Sequence, residues 1–301
     1  MILEGDNSVI DAIKEKKRLM DAGEAHGHIR PLLIVGGGMM QGVYGAGACL
    51  ALVELDLQEV FVTVAGTSSG AATAAYLYAK NPTHAASTFS EECITRKFIH
   101  EWRWGNPMDV LYFKSILEGA TGKGIGELSS DHLSRLRVSL SEYETGAPFL
   151  LRPNSVEELI DGVTASIAMP GPVRDVTGVR GVRYADGAST LPHAMSQLVH
   201  DPQYTHILYI VNQDQTDNDV TVFEKIINNT FYRHRMNTRL RHASNMRRKT
   251  DMQFIATLLQ NGTTKSCVVW GDRSIPGYTR NAGLIKSVLE KSRQWWLELL
   301  Q

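Results

Sequence analysis

Apolar residues in this chain fall into two patterns. Pro31-Leu32-Leu33-Ile34-Val35, Val60 to Ala65 and Ile207 to Val211 are unbroken runs, as expected of strands buried on both faces. Arg135 to Glu142 alternates and predicts a strand with Pro148 to Leu151 as its neighbour, and Val182 to Ala185 and Cys267 to Trp270 predict two more. Between these, apolar positions recur at helical spacing over 7–22 (opened by Asp6 or Asn7), Val43 to Leu55, and from the second run to about Ala79. The same spacing marks His84 to Arg96, a helix through about Ala168 led by the cap-like Asn154-Ser155-Val156-Glu157-Glu158, Glu224 to about Ser244, Asp251 to Leu259 and Asn281 to Leu300. Strands alternating with helices predict an α/β fold around a largely parallel sheet. With no internal repeat or low-complexity linker, one domain over 1–301 is expected. Residues 97–125, with Trp102, Trp104 and Phe113, are less regular and suit either a lid or substrate wall or an ordinary surface-packed insertion.

Composition narrows the classes of function. A chain of 301 residues with 43% hydrophobic content can bury a large core. A formal net charge of −1 supplies no global field toward nucleic acid, and none is expected as a partner. No apolar stretch is long enough to span a bilayer. Met1 to Glu24 is rich in charge and lacks the apolar centre of a secretion signal. A cytoplasmic protein is expected, peripheral to membrane at most. Cys49, Cys93 and Cys267 are scattered, as suits buried thiols in a reducing compartment. The ten histidines form neither HExxH nor a Cys/His cluster, so neither metal nor cofactor is expected.

The second apolar run leads directly into Gly66-Thr67-Ser68-Ser69-Gly70 and a small-residue helix. Gly-x-Ser-x-Gly between strand and helix is the form of a nucleophile elbow, a sharp turn presenting a serine. Gly66 and Gly70 suit a turn in which strand and helix pack too closely for a Cβ. The helix N-terminus then points where an oxyanion would form. A plain βα turn without chemistry would carry the same residues. The first run ends in Gly36-Gly37-Gly38-Met39-Met40-Gln41-Gly42. Such a loop lets backbone N–H groups approach an anion, but it fits a dinucleotide fingerprint poorly and lacks the Gly-Lys-Ser/Thr of a P-loop.

Two further pieces follow in order: Ala165-Ser166-Ile167-Ala168-Met169-Pro170-Gly171, then Tyr184-Ala185-Asp186-Gly187-Ala188. The set resembles the patatin-like phospholipase family over roughly residues 31–212, with a C-terminal helical part over about 220–301. The resemblance implies a three-layer α/β/α sandwich with a mainly parallel sheet. It also implies a lipid acyl hydrolase that works through a Ser–Asp dyad without a catalytic histidine. Carried over, Ser68 is the nucleophile, Asp186 the base, and Gly37 and Gly38 the oxyanion hole. A serine needs such a base within hydrogen-bond reach. His193, the histidine nearest the Asp186 turn, is the candidate for a conventional triad. The family loop is Gly-Gly-Gly-x-Arg/Lys-Gly, whereas here Met39, Met40 and Gln41 intervene before Gly42 and Gln41 stands where the family has a cation.

Arg233, Arg235, Arg239, Arg241, Arg247, Arg248 and Lys249 lie between Phe231 and Thr250 without an intervening acid. On a helix they form a face able to meet lipid headgroups, or a solvated one. In the tail, the pairs Leu284–Val288 and Ile285–Leu289 predict a buried stripe, and Trp295-Trp296 suits core or an interface. The motifs together with the resemblance thus imply a serine acyl hydrolase on lipid esters, with phospholipid the leading substrate. A general esterase or acyltransferase on the same nucleophile and a catalytically weak lipid-binding protein are the alternatives.

Overall fold

A computed structural model gives the fold. The structure describes residues 1–100, 103, 106–173, 178–190, 193–215, 238–272, 275–277 and 279–301, the side chains of 85, 243, 244, 247, 248 and 250 excepted. Its strands are β1 (Ile2–Gly5), β2 (Pro31–Val35), β3 (Thr63–Thr67), β4 (Leu136–Glu142) and β5 (Pro148–Leu151), then β6 (Gly178–Val179), β7 (Val182–Asp186), β8 (His206–Val211) and β9 (Lys265–Trp270). They form one sheet in the order β1-β9-β8-β2-β3-β4-β7-β6, with β5 also paired to β4. The central pairs β9–β8, β8–β2, β2–β3 and β3–β4 are parallel, while β1, β5, β6 and β7 pair antiparallel toward the edges.

The unbroken runs occupy the centre because both their faces are covered. Leu33, Val35, Val64, Leu208, Ile210 and Val269 enter one core, beneath helices α1 (Ser8–Asp21), α2 (Val43–Glu54), α3 (Ser69–Leu77), α4 (Val156–Ser166) and α6 (Ala282–Leu300). Leu32, Ile34, Ala65, Ile207, Tyr209 and Val268 enter the other, against Phe254, Ile255 and Leu258 of α5 (Thr238–Gln260). Alternate residues of each strand therefore serve opposite layers, which gives the helix–sheet–helix arrangement. The tail stripe is core: Ile285, Val288, Trp296, Leu297 and Leu300 are buried. A Cβ on Gly47 of α2 would lie 2.6 Å from Ser292 Cβ, so glycine is what lets α6 approach this closely.

Several elements differ from the expectation. The second strand starts at Thr63 rather than Val60, because pairing with β2 begins at Leu32 opposite Thr63, and Gln58–Val60 is a 3-10 turn. His84 to Arg96 breaks into two short helices, Pro82–Ala86 and Thr88–Glu91, and the irregular stretch contains a helix over Val110–Leu117. Strand β1, with only Ile2 and Leu3 as a signal, forms by pairing with β9. Helix α5 runs unbroken across the Asn245–Thr250 gap left in the pattern. Residues 224–237 of the expected helix lie outside the described residues, as do Trp102 and Trp104.

One junction decides where the chemistry sits. Thr67, the last residue of β3, pairs with Ser139 of β4, and Asp186, the last of β7, pairs with the next residue, Leu140. β5 takes Val138 to Ser141 and overlaps both registers, so β3 and β7 share the other edge of β4. Arriving from opposite directions, they meet end to end there.

Candidate active site

Ser68 follows β3 directly and adopts φ 54°, ψ −126°, a conformation most side chains avoid. The turn is forced by close packing. A Cβ on Gly66 would fall 2.4 Å from the Gly70 carbonyl oxygen, and one on Gly70 would fall 2.2 Å from Val35 O and 2.3 Å from Gly36 O. The elbow is thus pressed backbone to backbone against the glycine loop after β2.

The β3–β7 junction brings Ser68 and Asp186 together. Ser68 Oγ donates to Asp186 Oδ2 at 3.1 Å, and Ala188 N–H donates to Asp186 Oδ1 at 2.9 Å. Both residues are buried. The Ala165–Gly171 motif, which carries no recognisable chemistry of its own in the sequence, braces each of them. Ser166 Oγ accepts from Ser68 N–H at 2.8 Å and donates to Ser139 O at 2.8 Å, while Ala168 O accepts from Asp186 N–H at 2.9 Å. Ser141 Oγ donates to Asp186 O at 2.6 Å.

Gly37 and Gly38 lie against the elbow, and a Cβ on Gly37 would be 3.1 Å from Ser68 Cβ. Neither amide donates to another described residue. In place of a cation, two carboxamides hold this loop. Gln41 Nε2 donates to Ile275 O at 3.2 Å. Asn212, at the end of β8 and fully buried, donates through Nδ2 to Gly36 O at 2.5 Å and accepts through Oδ1 from Gly45 N–H at 2.7 Å. Sequence reasoning missed Asn212. Its only signal is a polar residue closing the Ile207 to Val211 run.

These groups open onto a cleft with about 100 Å³ of space, lined by Gly37, Gly38, Thr67, Ser68, Asp186 and His193, with Tyr209, Gln213 and Asp251 beyond. His193 lines the cleft, yet its Nδ1 accepts from Met195 N–H at 3.1 Å and its ring stacks on Phe254 at 5.3 Å. Burial pushes its pKa down to about 4, so the ring is neutral at pH 7 and, with Nδ1 as acceptor, holds its proton on Nε2. No hydrogen bond joins it to Ser68 or Asp186 among the described residues.

Of the basic stretch, Arg239 and Lys249 are exposed and Arg241 half-buried, and Arg239 donates to Thr145 O at 3.4 Å. Arg233 and Arg235, and the side chains of Arg247 and Arg248, lie outside the described residues. Cys49, Cys93 and Cys267 are all free and buried. No helix among the described residues is long and apolar enough to cross a membrane.

Among solved structures, the chain is similar to VipD from Legionella pneumophila at 10% identity and TM-score 0.46, covering 90% of this chain and 66% of VipD. It is also similar to the type III effector protein ExoU at 12% identity and TM-score 0.28, covering 77% of this chain and 54% of ExoU. The chain therefore spans between about half and two thirds of the length of these proteins. No curated protein matches. The family model for patatin-like phospholipase matches residues 33–195, more than half of the chain and all four motifs, and the chain belongs to the patatin-like phospholipase family.

Proposed function

We propose that the protein hydrolyses acyl esters of lipids, phospholipids among them, through a Ser68–Asp186 dyad. The observation that carries this is the 3.1 Å hydrogen bond from Ser68 Oγ to Asp186 Oδ2, on a strained elbow beside the Gly37 and Gly38 amides, which donate to no other described residue. Ser68 Oγ attacks the ester carbonyl and its proton passes to Asp186 Oδ2. The N–H groups of Gly37 and Gly38 stabilise the oxyanion, a contribution worth roughly 3–4 kcal/mol per donor in comparable sites. Collapse of the tetrahedral intermediate breaks the bond to the alcohol, which leaves with the proton from Asp186. Water, deprotonated by Asp186, then attacks the acyl-serine and releases the acid.

The Nδ1 bond to Met195 and the proton on Nε2 argue against His193 as base. Exposed Arg239 and Lys249 on α5 support a peripheral contact with anionic headgroups. The test is turnover of p-nitrophenyl butyrate and of a phosphatidylcholine vesicle, with fluorophosphonate labelling of Ser68. Ser68→Ala and Asp186→Asn are expected to lose at least a thousandfold in kcat, and His193→Ala far less. Absence of both turnover and adduct in the wild type overturns the proposal.

A further inference from the structure

His193 stands in the cleft with one hydrogen-bonding group unused. Its backbone carbonyl accepts from Ser196 N–H at 3.0 Å, and its Nδ1 accepts from Met195 N–H at 3.1 Å. Its ring stacks on Phe254 of α5 at 5.3 Å, and Tyr209 of β8 meets the same Phe254 edge-on at 5.6 Å. The imidazole is thus fixed in place and only 5% exposed. With Nδ1 an acceptor, the ring proton lies on Nε2. Nε2 has no partner among the described residues, yet it is not sealed in the interior, so this donor opens on the cleft that the residue lines. A polar group on so buried a side chain is ordinarily satisfied, and here the partner left to satisfy it is whatever enters the cleft.

We propose that the Nε2–H group of His193 binds an uncharged oxygen in the alcohol half of the substrate, so that the cleft selects esters of glycerol-like polyols over esters of simple alcohols. The proposal rests on the hydrolase reading of Ser68. Elimination assigns the acceptor. An ester bound at Ser68 Oγ turns its carbonyl oxygen to the Gly37 and Gly38 amides, and its acyl chain offers no oxygen. The bridging ester oxygen is a weak acceptor, because its lone pair is delocalised into the carbonyl. What remains is an oxygen farther along the alcohol. That oxygen is uncharged because the described lining carries two carboxylates, Asp186 and Asp251, and neither lysine nor arginine. A phosphate would meet repulsion there with no cation to offset it. A hydroxyl suits the wall, since it accepts from an imidazole and donates to a carboxylate or to Gln213. In a glycerophospholipid the oxygen so held belongs to glycerol or its neighbouring ester, and the phosphate lies farther out.

A neutral donor suits this place. Burial keeps the ring uncharged, with its pKa pushed down to about 4. His193 therefore adds a hydrogen bond to the cleft without a positive charge that would lower the basicity of Asp186. The Phe254 stack and the Met195 bond also hold the donor's direction before substrate arrives, so little ordering remains to be done on binding.

The experiment follows release of butyric acid by pH-stat titration from 1-monobutyrylglycerol and from propyl butyrate, whose alcohol halves differ only by two hydroxyls. His193→Asn keeps an acceptor where Nδ1 stands but brings no donor to the place of Nε2, and His193→Gln does the reverse. The wild type is expected to favour the glyceryl ester by about tenfold or more in kcat/KM, because a site built to bind a hydroxyl rejects the analogue lacking it. His193→Asn is expected to lose roughly tenfold on the glyceryl ester, mainly through KM, and less than about twofold on the propyl ester. His193→Gln is expected to stay within about threefold of wild type on both. Wild-type indifference to the two hydroxyls overturns the proposal, even if neither variant folds. A preference that neither variant alters overturns it while leaving the hydrolase intact. Equal loss on both esters, or loss in His193→Gln with His193→Asn unharmed, also overturns it and leaves His193 as a brace for Met195. No turnover of either ester and no fluorophosphonate adduct on Ser68 removes the hydrolase reading, and this assignment falls with it.

Discussion

Truncation of Asn212 tests how the glycine loop is held without the family cation. The side chain satisfies two groups, the Gly36 carbonyl at 2.5 Å and the Gly45 amide at 2.7 Å, in a fully buried setting. Gly45 lies in the first turn of α2, where N–H groups have no partner within the helix. Asn212→Ala leaves both groups unsatisfied. At about 1–3 kcal/mol per orphaned group, the loss of stability is roughly 2–6 kcal/mol, toward the lower figure if water enters the space. The same change frees the backbone that presents Gly37 and Gly38, and loss of one well-placed oxyanion donor costs about a hundred- to thousandfold in kcat. Asn212→Asp separates the two bonds. Its carboxylate can still accept from Gly45 but repels Gly36 O, whereas the protonated acid can donate to it. A buried carboxyl of this kind has its pKa raised in the folded state, so its protonation stabilises the fold at low pH and that stabilisation is lost as pH rises. Urea unfolding at pH 5 and pH 8, with kcat and KM on p-nitrophenyl butyrate, reads all of this. The expected pattern is a kcat loss with KM little changed, and an Asn212→Asp deficit smaller at pH 5 than at pH 8. A stability change below about 0.5 kcal/mol with kcat within twofold in Asn212→Ala would refute the clamp.

Gly70→Ala places a methyl group 2.2 Å from Val35 O, where only backbone could yield; a loss of more than about 3 kcal/mol or failure to fold is expected, read by circular dichroism and urea titration. His193, held neutral with its pKa near 4 against an ordinary value near 6.5, binds fewer protons folded than unfolded in that window. Stability should therefore fall as pH drops from 6.5 to 4, by up to about 3 kcal/mol, and His193→Asn should flatten that slope in thermal melts. Burial pushes the Cys49 and Cys267 thiols up to about 12, and the Cys93 thiol higher still. None should react with a disulfide reagent at pH 8 until denaturant is added, and rapid reaction of one equivalent in buffer would contradict the packing.

The sequence carried the local part of this protein. Unbroken apolar runs marked β2 and β8 because central parallel strands are covered on both faces, and Gly66 and Gly70 marked the elbow because no Cβ fits there. Helical spacing marked α6 and α4, and in the structure Asn281 and Ser155 accept the capping N–H bonds at their starts. Each of these follows from the chemistry of a few neighbouring residues, so a short window suffices. What joins distant windows was decided only by tertiary structure. Ser68 and Asp186 are 118 positions apart, and they meet because β3 and β7 abut at Ser139 and Leu140 on one edge of β4. Asn212 reads as a strand-end polar residue until β8 lies beside β2 and turns it toward Gly36. An apolar pocket beside the elbow is likewise invisible in residues 89–113, whose hydrophobic side chains gain a cavity only when packed against the elbow. Strand register and layer packing depend on the whole chain's burial at once, and no single stretch of sequence encodes that sum.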